Sequence, residues 1–235
     1  NPSLTVRHCE GKNPLRIVLD KDLCLLENLH LFDHSTPTVV FNSVKTSKEK
    51  NAAIYTSLII KENESFYNRG VFVEPSGKIT TYDKRKSFGL AKEDLFFTAG
   101  TGSTIVNYKG VKIQLQICYD LRFPVWARKQ TPDEYDLLLY VANWPERRNH
   151  AWKTLLCARA IENQTYVVGV NRVGKDGHQI NHSGDSMIVD PMGQVLYYKA
   201  DDEDTVYMEL EKDVVLGVRE KFPFGRDADS FSISL

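Results

Sequence analysis

The later part of the run Val111 to Cys118 and the whole of Asp136 to Ala142 are too apolar for a sheet surface that is wet on one side. Strands of that kind are buried on both faces, as in a parallel sheet covered by helices. Between them, Tyr119 to Lys129 carries Arg and aromatic residues at helix-like spacing, interrupted at Pro124. Strand, helix, strand implies a parallel crossover, which restricts the chain to α/β architectures.

The flanking segments fit that frame. Ala52 to Lys61 and Phe66 to Glu74 read as strands joined by the turn Glu62-Asn63-Glu64-Ser65, and Pro75-Ser76-Gly77-Lys78 forms the next turn. Ile79 to Tyr82 continues as a strand, so that Lys84 falls at a strand end or in the following loop. Ser103 to Tyr108 pairs with the Val111 run across Lys109-Gly110. Trp152, Leu155, Leu156, Ala160 and Ile161 give a helix over Ala151 to Asn163, and Thr165 to Asn171 resumes as a strand. A hairpin of Ser186 to Asp190 with Val195 to Leu196 leads to a last strand, Val206 to Leu210. The expected architecture is mixed sheets with helices on their outer faces. A length of 235 residues, 42% hydrophobic, suits one compact domain.

Charge excludes some partners. Thirty Lys and Arg residues balance 31 Asp and Glu, leaving no global field for nucleic acid or an anionic membrane. The longest apolar stretches, such as Tyr135 to Asn143, fall far short of the ~20 residues of a membrane span. Asn1 to Asn13 is polar and lacks the apolar core of a secretory signal, so a cytoplasmic protein is expected. The four cysteines form no Cys-x-x-Cys pair and have no His at ligand spacing, so no metal is expected.

Cys118 stands where a buried strand stops and a polar turn enters a helix. Helix N-terminal amides at such a place stabilise a thiolate and can hold an oxyanion. A lone cysteine is also a common core filler, and position alone leaves both open for Cys118. Cys157, beside Leu155 and Leu156 in mid-helix, reads as packing. Lys84 is either a cation that acts on a nearby thiol or part of a solvated basic cluster with Arg85 and Lys86.

The stretch Ile117-Cys118-Tyr119-Asp120-Leu121-Arg122-Phe123-Pro124 resembles the nucleophile motif of the nitrilase (carbon-nitrogen hydrolase) superfamily, and Tyr82-Asp83-Lys84-Arg85 resembles its catalytic-lysine motif. Asn143-Trp144-Pro145, Ala158 to Gln164, Asn171-Arg172-Val173-Gly174 and Ser183-Gly184-Asp185-Ser186 with Asp190 to Gly193 follow in the same order. The resemblance runs from about Asn51 to Leu210. It implies a four-layer αββα sandwich, a single domain over 1–235, and a Glu-Lys-Cys triad that hydrolyses amides or nitriles without metal or cofactor. In that scheme Cys118 attacks the carbonyl and Lys84 stabilises the tetrahedral states. The Tyr119 backbone N–H is a second oxyanion donor, and Glu93 orients the lysine or the substrate. A homodimer is the implied assembly.

Ala142 to Arg148 is similar to the omega-amidase-like branch, which acts on monoamides of 2-oxo dicarboxylic acids. Asn143 and Trp144 would then line the pocket, and Arg147 or Arg148 would pair with a substrate carboxylate. The alternatives are a scaffold of the same fold with impaired catalysis, or an acyl transferase or carbamoylase.

One family feature is missing. The general-base Glu, placed after an apolar strand and usually preceded by Pro, has no clear counterpart. Leu15 to Leu19 resembles the first strand and Thr38 to Lys50 the approach to Asn51, so the part from about 15 to 50 is shorter than in the family. Glu27 follows a short apolar run and is either a displaced base or a residue of a first helix continued by Leu29 and Phe32.

Overall fold

The computed structural model describes residues 16–19, 38–41 and 52–233. The chain divides into two compact units, residues 1–55 with 71–80 and residues 56–70 with 81–235. In the first, β1 (Arg16–Leu19) and β2 (Thr38–Phe41) pair in parallel, Arg16 opposite Thr38 and Leu19 opposite Phe41.

Strands β3 (Ile54–Glu62), β4 (Ser65–Val73) and β5 (Ile79–Asp83) form a three-stranded sheet in that order. All three lie within two residues of the expected segments. Asn63, in the left-handed region at φ 54°, makes the turn between β3 and β4.

A six-stranded sheet organises the second unit. It comprises β6 (Ile105–Tyr108), β7 (Val111–Ile117), β8 (Leu137–Ala142), β9 (Tyr166–Asn171), β12 (Ser186–Val189) and β13 (Val195–Lys199). The order across the sheet is β13-β12-β9-β8-β7-β6. Strands β7, β8 and β9 are parallel, with Ile117 opposite Val141 and Ala142 opposite Asn171, while β6 and β12 run antiparallel to their neighbours. The two remaining strands, β10 (Val173–Lys175) and β11 (Asn181–Ser183), form a separate antiparallel hairpin.

Helix α2 (Asn149–Asn163) packs Trp152, Leu156 and Ala160 into the core with Leu138, Tyr140, Val167, Met187 and Val189. Gly169 admits it: a Cβ there would lie 2.7 Å from a Leu156 methyl and 2.8 Å from the Trp152 ring. Cys157 packs against the same core, as expected for a filler.

Two expectations need correction, and two elements are new. Tyr119 to Lys129 is a 3-10 turn, Cys118–Arg122, followed by the single-turn helix α1 (Pro124–Ala127), because Pro124 removes an amide donor and starts a new helix. Val206 to Leu210 forms no ladder; Tyr207 is 93% exposed, and β-propensity without a partner strand makes no sheet. Helix α3 (Lys212–Lys221) and the β10–β11 hairpin add two elements that the sequence reading lacked. Among the described residues no helix is long and apolar enough to cross a membrane.

Candidate active site

The C-terminal ends of three adjacent parallel strands deliver three site segments: Cys118 after β7, Asn143 after β8 and Arg172 after β9. Crevices at such ends are the usual ligand sites of α/β sheets. Cys118, Arg122, Asn143, Arg148, Arg172 and His182 all line one cavity of about 600 Å³ there. A second cavity of about 320 Å³ contains Cys118 again, now with Lys84, Glu93, Asn68 and Asn143.

At Cys118 the backbone turns sharply, with φ +48°, in the left-handed region that non-glycine residues seldom occupy. Such a conformation costs on the order of 1–3 kcal/mol and persists only where neighbouring contacts impose it. Here the fully buried Asp120 does so. Its Oδ2 accepts the Ile117 N–H at 3.1 Å and the Tyr82 hydroxyl at 2.7 Å, and its Oδ1 accepts the Lys86 N–H at 2.9 Å. Trp126 Nε1 donates to the Tyr82 hydroxyl oxygen at 2.8 Å. One carboxylate thus joins the turn that bears Cys118 to the loop that follows Lys84. Burial pushes the Asp120 carboxyl up to about 6, against the lowering effect of its Tyr82, Lys86 and Ile117 donors.

Lys84 is buried directly after β5. Its N–H donates to the Asn68 carbonyl at 2.9 Å, and its carbonyl accepts the Gly100 N–H at 2.9 Å. Position 100 tolerates only glycine, since a Cβ would lie 2.1 Å from the Asp83 carbonyl oxygen. The Lys84 ammonium donates to Glu93 Oε2 at 2.5 Å. Glu93 Oε2 also accepts the Phe88 N–H at 2.6 Å, and Oε1 accepts Asn68 Nδ2 at 3.1 Å. Burial tends to raise the Glu93 carboxyl, but the Lys84 charge and these donors outweigh it and leave Glu93 below its ordinary range. It is therefore a carboxylate whose lone pairs are already engaged.

Cys118 as a residue is half-buried and lines both cavities. Burial raises its proton affinity, and Lys84 together with a hydrogen bond from the Asn143 backbone lowers it, with burial prevailing. Tyr119 packs edge-on against Phe88 and Phe123, with ring centroids 4.8 and 5.1 Å apart.

The segment after β8 is held by Asn171, which sequence reading placed in a motif without assigning a role. Asn171 Oδ1 accepts the Trp144 N–H at 2.7 Å, and Nδ2 donates to the carbonyls of Trp144 at 3.0 Å and Gly184 at 2.7 Å. Trp144 is buried, and its Nε1 donates to the Arg148 carbonyl at 2.8 Å. Arg147 is exposed on the cavity wall, whereas Arg148 is half-buried over the Phe88 ring.

The structure thus brings Cys118, Lys84, Glu93 and Asn143 together, with Tyr119, Trp144 and Arg147 on the adjoining cavity. Glu27 lies outside the described residues. Sequence reading missed Asn68, which nothing distinguishes from its polar neighbours Ser65 and Arg69 in strand β4, and Asp120 and Asn171 as positioning groups. Among the described residues no three His, Cys, Asp or Glu side chains are grouped so as to hold a metal ion.

Comparison with known proteins agrees with this geometry. The carbon-nitrogen hydrolase family profile matches residues 35–219. The omega-amidase YafV of Escherichia coli strain K12 is 43% identical over 188 residues, 80% of this chain and 73% of that protein. The 2-oxoglutaramate amidase of Bacillus subtilis strain 168 is 36% identical over 181 residues, 76% of this chain and 70% of that protein. Among solved structures, XC1258 of Xanthomonas campestris, a CN-hydrolase superfamily protein with an arsenic adduct in its active site, is 40% identical with a TM-score of 0.77, covering 78% of this chain and 72% of that one. A matched profile, relatives above one-third identity and a shared α/β fold of the nitrilase type lead to one conclusion: the chain belongs to the carbon-nitrogen hydrolase family.

Proposed function

We propose that this single-domain enzyme hydrolyses the terminal amide of a small dicarboxylic acid monoamide, 2-oxoglutaramate being the first substrate to try. The observation that carries this reading is the convergence of Cys118 with the Lys84–Glu93 pair on one cavity, at the end of a buried parallel strand. The Cys118 sulfur adds to the amide carbonyl, ammonia leaves with a proton, and water releases the acid from the thioester. The Lys84 ammonium and the N–H of Tyr119 in the first turn after the nucleophile stabilise the oxyanion. Glu93, already engaged by three donors, orients Lys84 rather than moving protons. The amidase names of the Escherichia coli and Bacillus subtilis relatives support the choice of substrate. So do Arg147 and Arg148 on the cavity wall, where a guanidinium can meet a carboxylate in bidentate fashion.

Ammonia release from 2-oxoglutaramate by the wild type and by Cys118→Ala tests the proposal. Turnover that vanishes in the variant is expected; equal rates would end it. A second reading, a scaffold with impaired catalysis, draws on the raised Cys118 thiol and on Glu93 being the only acid among the described residues of that cavity. Wild-type turnover at the detection limit would favour it. We also infer a cytoplasmic homodimer by family likeness; a monomer in sedimentation equilibrium would refute the assembly.

A further inference from the structure

The proposed reaction changes the charge of its substrate, and the cavity around Cys118 is strongly biased in charge. This inference rests on the amidase reading. Hydrolysis of a dicarboxylic monoamide breaks one C–N bond, adds one water, and gives ammonia and a second carboxyl group. At neutral pH that carboxyl ionises and ammonia takes up the proton, so a monoanion becomes a dianion.

The cavity is lined by Arg122, Arg147, Arg148 and Arg172. Arg122 lies over the Trp144 ring at 5.0 Å and Arg148 over the Phe88 ring at 5.2 Å. Stacking of this kind fixes a guanidinium while leaving its edge donors free for a planar anion. Among the described residues, no carboxylate forms an ion pair with Arg122, Arg147 or Arg148. Asp176 is the only acid among the described lining residues, and its Oδ1 is taken by the N–H groups of His178 and Ile180. Burial, then Arg147 and Arg122, weaken the hold of Arg148 on its own proton, the mark of a cation crowded by cations.

Among the described residues the reacting end carries no net charge. Lys84 and Glu93 neutralise each other at 2.5 Å. Arg148 lies near enough to Cys118 to act electrostatically on a charge formed there. A carboxylate generated at the amide position therefore meets a net attraction that the neutral amide does not.

We propose that the site holds its dicarboxylate product more tightly than its monoamide substrate, through the stacked guanidiniums of Arg122 and Arg148. The product is then a competitive inhibitor, and a reaction that consumes the dicarboxylate sets the net flux.

A charge ladder on one carbon skeleton tests this. Glutardiamide, glutaramate and glutarate carry no, one and two negative charges, and Cys118→Ala binds them without turnover. Titration calorimetry should show affinity rising at each step, by at least about threefold from glutaramate to glutarate, with the steps flattening as salt is raised and screening sets in. Arg122→Gln and Arg148→Gln, each in the Cys118→Ala background, should flatten the ladder at low salt. The salt series needs no further variant, so a misfolded arginine mutant does not blunt the test. Glutarate binding no tighter than glutaramate, while the wild type releases ammonia, overturns the inference and leaves the amidase reading intact. An intact ladder with no ammonia release upholds the charge selectivity and removes the amidase reading.

Discussion

The Lys84 ammonium and the Glu93 carboxylate meet at 2.5 Å, with side chains 5% and 13% exposed. Two charges so far from solvent are held by each other and by the donors of Asn68 and Phe88, so neither can be removed alone without leaving the other uncompensated. Glu93→Gln should therefore destabilise the protein by about 3–5 kcal/mol, the range for breaking a buried pair. It should also lower kcat/KM by about a hundredfold through misplacement of Lys84. Because the Glu93 carboxyl titrates below its ordinary 4.5, its contribution is complete above that pH and is lost as the pH falls through the folded value. Urea melts of both proteins from pH 3 to 7 check this: the gap between them should close only on the acid side.

Cys118 provides a second measurement, made without substrate. Burial raises the thiol and Lys84 opposes it, so alkylation by iodoacetamide should increase with pH into the alkaline range. Lys84→Met should shift that curve to still higher pH and slow labelling at pH 8 by at least about tenfold. A faster Lys84→Met reaction would mean that the cation does not act on the sulfur.

Asp120 gives a pH effect of opposite sign. Its carboxyl is raised from 3.8 to about 6 in the fold, so the folded state holds the proton more tightly than the unfolded chain. The associated stability is full below the unfolded value and is lost as the pH rises through about 6. Wild-type stability measured relative to Asp120→Asn should therefore fall by on the order of 3 kcal/mol between pH 4 and pH 7. A flat or rising difference would contradict the burial argument.

Asn171→Ala removes three buried hydrogen bonds at once and leaves the Trp144 N–H without its acceptor. Expected is a loss of about 2–4 kcal/mol in stability. If the segment from Asn143 to Arg148 positions substrate, KM for the amide should rise more than kcat falls; thermal melts and steady-state kinetics read the two effects separately.

What was legible in the sequence follows from how each element is held. Strand β7 is buried on both faces from Ile113 to Ile117, whereas β8 buries Leu138 and Tyr140 on one face and only half-buries the other; the apolar content of both showed directly, and α2 announced itself through Trp152, Leu156 and Ala160. The β10–β11 hairpin was less visible, because its short strands carry few apolar residues and its turn is made by the Asp176 side chain accepting two N–H groups. Helix α3 buries only Val215, too little to give a readable face. Within the site, Cys118, Lys84 and Glu93 were found through motifs. Asn68, Asp120 and Asn171 were assigned no role, since their work is to bind backbone atoms distant in sequence, and composition does not reveal which backbone atoms those are.

On the proposed reading, the nucleophile and the pocket wall belong to different strand ends. Cys118 follows β7, Asn143 to Arg148 follow β8 and Arg172 follows β9, with neighbouring strands about 4.8 Å apart. The sheet thus acts as a ruler graduated in strand widths, with bond breaking at zero and recognition one or two marks away. Swapping residues at the first and second marks would retune which acyl tail is admitted while the zero stays fixed, a division of labour that lets one scaffold diversify without reinventing its chemistry.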